Sequence, residues 1–222
     1  MTTVVARSST EVNSVLTQVY KNMFFAVLVS MVTSWWVSGN TALMTFLFSG
    51  FVKWLVIFAP LVAVFALTGF IDRMTKTQAH LALYGFAVLM GLSLSMIFAV
   101  FTAASIVNAF MGAATLFGVM AAWGHYTKRN LSGWGNFLLV GAIAIVIASI
   151  INIFLGSGLL AMTVSALAIL IFTALTAYDS QRIREAIQAD VDDRIMITGA
   201  LSLYLNFINI FTSLLNLFGQ RE

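Results

Sequence analysis

Long uninterrupted apolar runs are the feature of this sequence that most restricts its fold. Seven runs approach the ~20 apolar residues that a helix needs to cross a bilayer. Because backbone polar groups must be hydrogen-bonded within a membrane-spanning segment, such runs favour helices. Only 9% of the residues are charged, whereas a soluble domain carries about 25%. The sequence therefore predicts an all-α integral membrane protein, a bundle of seven transmembrane helices.

Hydropathy divides the chain into an arm and one membrane domain. Residues 1–18 are polar and are interpreted as a cytoplasmic N-terminal arm or amphipathic lead-in, and residues 19–222 as a single seven-helix domain. The apolar stretch 41–50 is interpreted as a re-entrant or interfacial piece. A six-crossing arrangement with one re-entrant apolar segment is the alternative. The predicted crossings are residues 20–37, 52–71, 80–101, 103–124, 134–155, 159–178 and 197–218.

The distribution of Lys and Arg predicts the orientation of the bundle. With the N-terminus in the cytoplasm, all 11 basic residues except Lys53 and Arg221 fall in inner segments. Cytoplasmic segments of membrane proteins are enriched in Lys and Arg. We therefore expect a cytoplasmic N-terminus and an external C-terminus. The inner basic residues are Arg7, Lys21, Arg73, Lys76, Lys128, Arg129, Arg182, Arg184 and Arg194.

Signatures of enzymes, metal sites and nucleic-acid binding do not occur in the sequence. There is no Cys, and His80 and His125 lack the spacing of paired metal ligands. The acidic loop 190–193 lacks the glycine and closing glutamate of an EF-hand and is expected to be solvated. No phosphate-binding or hydrolase glycine motif is present. We expect a protein without enzymatic activity, cofactor or nucleic-acid partner, surrounded by the lipid bilayer.

Pro60 is the one proline of the sequence and falls inside the second predicted crossing. Proline has no N–H, so the carbonyl of Val56 loses its usual partner and a kink is predicted. The bend is interpreted as a packing feature, with a gating hinge as the alternative.

Polar residues recur along the last predicted crossing. Gaps of three and four residues place them on one stripe about 80° wide. Polar side chains in a membrane helix face inward, either to bond neighbouring helices or to line a wetted path. Both interpretations remain open for this inward polar face or pore. The stripe consists of Thr198, Ser202, Asn206, Asn209, Ser213 and Asn216.

Asp179 is the strongest single candidate for a functional residue. It follows the apolar part of the sixth crossing, and acidic residues near bilayer depth commonly mark ion or proton pathways. The alternative is a helix-end carboxylate that is solvated or paired with Arg182, three residues further on. Thr173, Thr176 and Ser180 share its side of the helix and are predicted either to hydrogen-bond its oxygens or to help line a cation site. Asp179 is thus the candidate calcium ligand.

Two motifs near the C-terminus carry a resemblance to a known family. Residues 176–181 (TAYDSQ) and 199–211 (GALSLYLNFINIF), with 126–133 (YTKRNLSG), resemble the transmembrane Bax inhibitor-1 motif family and its bacterial members. The resemblance implies a bacterial inner-membrane protein with the last helix at the bundle centre. It also implies a pH-modulated calcium leak. The alternative implied by other members is a regulator that binds a membrane partner such as a protease.

One position departs from the family pattern. The resemblance implies two hydrogen-bonded aspartates on the last two crossings; Asp179 matches the first, whereas Asn206 replaces the second. Two adjacent carboxylates share a proton and act as a pH switch, but an amide does not titrate, so we expect an altered pH response. Straight helices with the predicted bounds leave Asp179 and Asn206 about 10 Å apart in depth. The two are the predicted gate and pH sensor.

Overall fold

A computed structural model describes residues 9–189 and 193–221, and these residues are almost entirely helical. Single turns of 3-10 helix at Ile71–Arg73 and Ser132–Trp134 precede α4 and α7. The helices are α1 (Ser9–Ser38), α2 (Thr41–Phe48), α3 (Val52–Phe70), α4 (Lys76–Leu94), α5 (Ile97–Val100), α6 (Ala103–Tyr126), α7 (Gly135–Leu155), α8 (Gly158–Ala189) and α9 (Asp193–Phe218).

Seven helical segments in the described ranges are long and apolar enough to cross a membrane, as predicted. The third of them combines α4 with the short α5, over Lys76–Val100. By contrast, α2 has eight residues and buries none of them. It is too short to span the hydrocarbon, which agrees with an interfacial piece between the first two crossings.

The last helix lies at the centre of the bundle. About 67% of the apolar window of α9 is buried, against 28% or less for each of the other six spans. α8, α1 and α6 pack directly around it, while α7 packs on α8 and α3 on α4 at the periphery. Leu201, Tyr204 and Ile210 of α9 are 2% exposed or less. The predicted central position of the last helix is confirmed.

Two helix boundaries differ most from the predicted ones. α1 begins at Ser9, so residues 9–18 continue the first crossing as a helix; residues 1–8 of the predicted arm, with Arg7, lie outside the described residues. α8 runs to Ala189, so its predicted end at residue 178 was wrong. The added segment is rich in Arg, Glu, Gln and Ala, which favour helix in water as well as in lipid. Asp190 and Asp192 of the predicted acidic loop also lie outside the described residues.

The carbonyl that Pro60 leaves without its helical partner is bonded by another helix. α3 continues through Pro60, and the hydroxyl of Ser93 on α4 donates to the Val56 carbonyl oxygen at 2.7 Å. An unpaired carbonyl in hydrocarbon costs several kcal/mol, so this contact explains how proline is accommodated. It also joins α3 to α4. The kink at Pro60 stays a prediction.

We expect Ser93→Ala to lower the free energy of unfolding by about 1 kcal/mol, because it leaves the Val56 carbonyl unpaired. Thr68→Ala is the matched control on α3, since the exposed Thr68 hydroxyl bonds to carbonyls of its own helix. Thermal unfolding in detergent micelles compares the two variants. Equal losses in both would contradict the role assigned to Ser93.

Candidate functional site

Asp179 on α8 and Asn206 on α9 face each other in the core of the bundle. The Asn206 amide nitrogen (Nδ2) donates a hydrogen bond to Oδ2 of Asp179 at 2.8 Å. The two residues are 6% and 4% exposed, respectively. A hydrogen bond to a carboxylate is about twice as strong as one between neutral groups. This bond therefore joins the two most tightly packed helices of the protein at a buried point.

The two side chains meet because α8 is longer than its apolar stretch. Asp179 lies ten residues before the end of α8 at Ala189, and Asn206 lies thirteen residues after the start of α9 at Asp193. At 1.5 Å per residue these positions are about 15 and 20 Å from the ends of the helices where the chain reverses. The expected 10 Å difference in depth was wrong, because it rested on the early end of α8.

Arg182 is the second partner of the carboxylate. Its guanidinium nitrogen lies 3.6 Å from Oδ1 of Asp179, at the i,i+3 spacing that brings helical neighbours together. The Arg182 side chain is 55% exposed, whereas that of Asp179 is 9% exposed. Asp179 is therefore both buried in the bundle and paired with Arg182, as one of the two alternatives expected; its part in an ion or proton pathway stays a prediction.

The predicted polar neighbours of Asp179 make different contacts from one another. Thr176 is fully buried and donates to the Phe172 carbonyl of its own helix at 2.8 Å. Ser180, 1% exposed, accepts a hydrogen bond from the Tyr20 hydroxyl at 3.2 Å. The hydroxyl of Thr173 is buried without a hydrogen-bond partner in the described structure. Ser180 thus ties α8 to α1, a contact that required Tyr20, which the sequence did not single out.

The polar stripe of α9 is not a single buried face. Asn206 and Ser213 are buried, Thr198, Ser202 and Asn209 are half-buried, and Asn216 is exposed. Asn209 donates to the Leu205 carbonyl of its own helix, while Asn206 bonds across to α8. Asn206 therefore makes the interhelical hydrogen bond that one interpretation of the stripe expected. A pore along Ser202, Asn209, Ser213 and Asn216 stays a prediction.

A polar clamp beside Asp179 holds the connection between α6 and α7. The side chain of Gln181 donates to the Arg129 carbonyl and accepts from the Leu131 N–H, both at 2.8 Å. Arg184 donates to the His125 carbonyl at the end of α6. Sequence reasoning missed this clamp; its one signal is that Gln181 and residues 126–133 both fall in motifs of the resemblance. Because these hydrogen bonds join the two segments, a movement of this part of α8 would either break them or displace the connection between α6 and α7.

The site offers few ligands to a resident metal. Calcium takes six to eight oxygen ligands, and no group of three His, Cys, Asp or Glu side chains comes together in the described ranges. Asp179 supplies carboxylate oxygens, but Oδ2 receives the Asn206 amide.

Other polar contacts indicate which connections share an end of the bundle. Arg194 at the start of α9 lies 3.7 Å from Asp72 beside the α3–α4 connection, and Gln181 reaches the α6–α7 connection. At the opposite end, the Thr102 N–H donates to the Gln220 carbonyl at 3.1 Å. The basic connections therefore lie together, at the end nearer to Asp179.

A central, largely buried helix that bonds a buried carboxylate on its neighbour defines a class: multi-pass helical membrane proteins with a polar pair between their last two helices. The chain belongs to the Bax inhibitor-1 family. The family described as "Inhibitor of apoptosis-promoting Bax1" matches residues 12–222, which include six of the seven candidate spans in full and all but the first two residues of the other.

Two curated bacterial relatives match nearly the whole chain, and a third matches about three quarters of it. The "Inner membrane protein YbhL" of Escherichia coli strain K12 is 38% identical over 214 residues, which cover 93% of this chain and 92% of the relative. An uncharacterized protein of Borreliella burgdorferi is 34% identical, with 95% and 93% covered. One from Caulobacter vibrioides is 41% identical over 74% of this chain and 68% of its own length. The seven apolar helices and the location in the name of the E. coli relative agree with a multi-pass inner-membrane protein.

Proposed function

We propose that this protein is a cation leak channel of the bacterial inner membrane, with calcium as the conducted ion. The observation that carries the proposal is the buried hydrogen bond from Asn206 to Asp179. It places a carboxylate inside a membrane bundle, where an acidic group is costly and commonly serves an ion or proton pathway. Asp179 attracts the cation, and its bond to α9 keeps the pathway closed.

Aromatic side chains next to the pair support the closed arrangement. Phe207 of α9 packs edge-to-face against Phe110 and Phe117 of α6, with ring centroids 5.4 and 5.8 Å apart. Phe110 also contacts Phe211 at 6.2 Å. Phe207 and Phe211 follow Asn206 on α9, and their partners Phe110 and Phe117 lie on α6. Opening therefore requires α8 and α9 to separate and the rings to move.

Asp179 is the one side chain of the pair that can be protonated. Protonation of Asp179 would remove the charge that attracts a cation and Arg182, and would weaken the charge-assisted bond to Asn206. Asn206 adds no second titrating group. Modulation by pH in this chain therefore passes through Asp179 alone at this pair, and it is weaker than in a protein with two paired carboxylates.

The test is calcium entry into proteoliposomes that contain the purified protein and a calcium-sensitive dye. We expect Asp179→Asn to change the calcium flux by about tenfold, the factor that corresponds to 1.4 kcal/mol in the gating equilibrium. Asp72→Asn is the matched control, because Asp72 is an exposed carboxylate beside the α3–α4 connection. Its flux should stay at the wild-type level.

Absence of calcium flux from the correctly folded wild-type protein would overturn the proposal. Folding is checked by a cooperative thermal transition in the same detergent. That outcome would favour the alternative drawn from the resemblance, a regulator that acts by binding a membrane protein such as a protease. Asp179→Asn would then change co-purification of the partner instead of ion flux.

A further inference from the structure

An apolar cavity lies between α1 and α6, on the other side of the bundle from the α6–α7 clamp. Its volume is about 350 Å³. α4 and α5 close one end, and α9 forms the floor with Phe207, Ile208 and Phe211. Asp179 and its partners do not contribute to its walls. The other walls include Val27, Met31, Leu94, Ile97, Ile106 and Phe110.

The cavity opens sideways between the two helices. α1 packs against α4 and α9, and α6 packs against α8 and α9. The side chains of Met31, Val107 and Met111 at the rim are 45%, 60% and 61% exposed. Because these helices span the membrane, the exposed rim faces lipid hydrocarbon. The cavity is therefore accessible from the bilayer.

A second cavity continues the first toward the end of α1. It measures about 440 Å³ and shares Trp35 and Phe98 with the apolar cavity. Its other lining residues are Trp36, Ser38, Gly39 and Asn40, around the α1–α2 connection. Trp side chains concentrate at the boundary between lipid tails and headgroups. The two cavities together therefore run from an apolar interior to a polar niche at the membrane interface.

Ser34 sits where the two cavities meet along α1. It lines the apolar cavity and is 3% exposed, and its hydroxyl makes no hydrogen bond within the described structure. Ser30, the other serine of the cavity, bonds to Tyr204 and to the Ala87 carbonyl. Buried hydroxyls nearly always have a partner. Ser34 lies one helical turn, about 6 Å, before the end of α1 at Ser38.

We propose that this site binds a glycerophospholipid, with one acyl chain in the apolar cavity and the ester-bearing end in the polar niche. An acyl chain in the cavity gains dispersion contacts on all sides that an empty cavity forfeits. An ester carbonyl gives the Ser34 hydroxyl an acceptor after rotation of its side chain. The gradient from apolar cavity to polar niche follows the gradient along a phospholipid. This proposal does not depend on the leak function.

Native mass spectrometry on protein released from palmitoyl-oleoyl phosphatidylglycerol nanodiscs tests the site. We expect the wild-type protein to retain one phospholipid under conditions that remove the surrounding lipid. Ile106→Trp fills the cavity and should lower retention about tenfold, as a loss of 1.4 kcal/mol in binding does. Ile143→Trp is the matched control, because Ile143 is 51% exposed on peripheral α7. Equal retention in both variants, or none in the wild type, overturns the proposal.

A second measurement on the unmodified chain does not depend on the folding of a variant. The same nanodiscs are doped with a phospholipid that carries a diazirine at the end of one acyl chain, then chased with unlabelled lipid before photolysis. We expect crosslinks at Met31 and Ile106 to outlast those at Ile143, because bound lipid exchanges more slowly than bulk lipid. Equal decay at all three residues contradicts the site. Retention of a free fatty acid or quinone in place of the phospholipid contradicts the proposed ligand.

Discussion

Asn206→Asp should make calcium entry into proteoliposomes strongly dependent on pH. Asn206 lies 2.8 Å from a carboxylate oxygen of Asp179, so the variant places two carboxylates within hydrogen-bond distance. Such a pair holds one shared proton and titrates as a unit. The singly protonated pair makes a short charge-assisted bond, which keeps α8 on α9. Loss of that proton creates like-charge repulsion between the two carboxylates. Gain of a second proton removes the negative charge, so the bond between the two side chains is no longer charge-assisted and weakens.

We therefore expect calcium flux to be lowest at the pH values at which the pair holds one proton, and higher at both lower and higher pH. Over pH values from about 5 to 9 the ratio of the largest to the smallest flux should reach about tenfold, because a gating change of 1.4 kcal/mol is sufficient. The wild-type protein has one carboxylate in the pair and should vary less over the same range. The measurement is the initial rate of dye response at each pH, with internal and external buffers matched.

Asn209→Asp is the matched control for this variant. Asn209 belongs to the same stripe of α9, but it is half-buried and bonds to the Leu205 carbonyl of its own helix. An added carboxylate there should leave the pH profile close to that of the wild type. If both variants gain the same pH dependence, any negative charge on the stripe has the effect, and the pair has no special role.

The sequence predicted the number of crossings correctly. That number follows from apolar length, because an unpaired backbone is excluded from hydrocarbon. The sequence also singled out Asp179, since an acidic residue beside an apolar run is rare in a membrane helix; its burial is observed, and its functional role stays a prediction. The end of α8 was not predictable by the same rule, because residues 179–189 leave the apolar pattern while the helix continues to Ala189. Hydropathy predicts which residues lie in the membrane, but it does not predict where a helix ends outside it.

Contacts between distant segments account for most of what the sequence did not reveal. The bond between Tyr20 and Ser180 joins residues 160 positions apart, and that between Ser30 and Tyr204 joins residues 174 positions apart. Ser30 belongs to no motif, and although Tyr204 falls in the motif 199–211, nothing in that motif indicates its partner. Such pairs depend on helix rotation and packing, which one sequence does not specify. The Asp179–Asn206 pair was expected from a resemblance, not from spacing.

Gly124 marks a close approach of α6 to α8, and its replacement has the largest expected effect on stability among the changes considered. A Cβ atom at this position would lie 2.7 Å from the Ala177 Cα atom and would also overlap the Ala177 carbonyl. These are backbone atoms, so a change of side-chain rotamer does not relieve the overlap. The two helices must separate. We expect Gly124→Val to lower the free energy of unfolding by about 3 kcal/mol, the upper part of the range for overpacking.

Gly118→Val on the same helix is the control for this prediction. A Cβ at Gly118 has no atom within 4 Å, so the change should alter stability by no more than about 0.5 kcal/mol. Thermal unfolding in detergent compares the variants, and equal melting temperatures would contradict the close approach. Ala177 lies two residues before Asp179 on α8. Separation of α6 from α8 therefore displaces the carboxylate from Asn206, and Gly124→Val should also raise calcium leak in proteoliposomes where Gly118→Val does not.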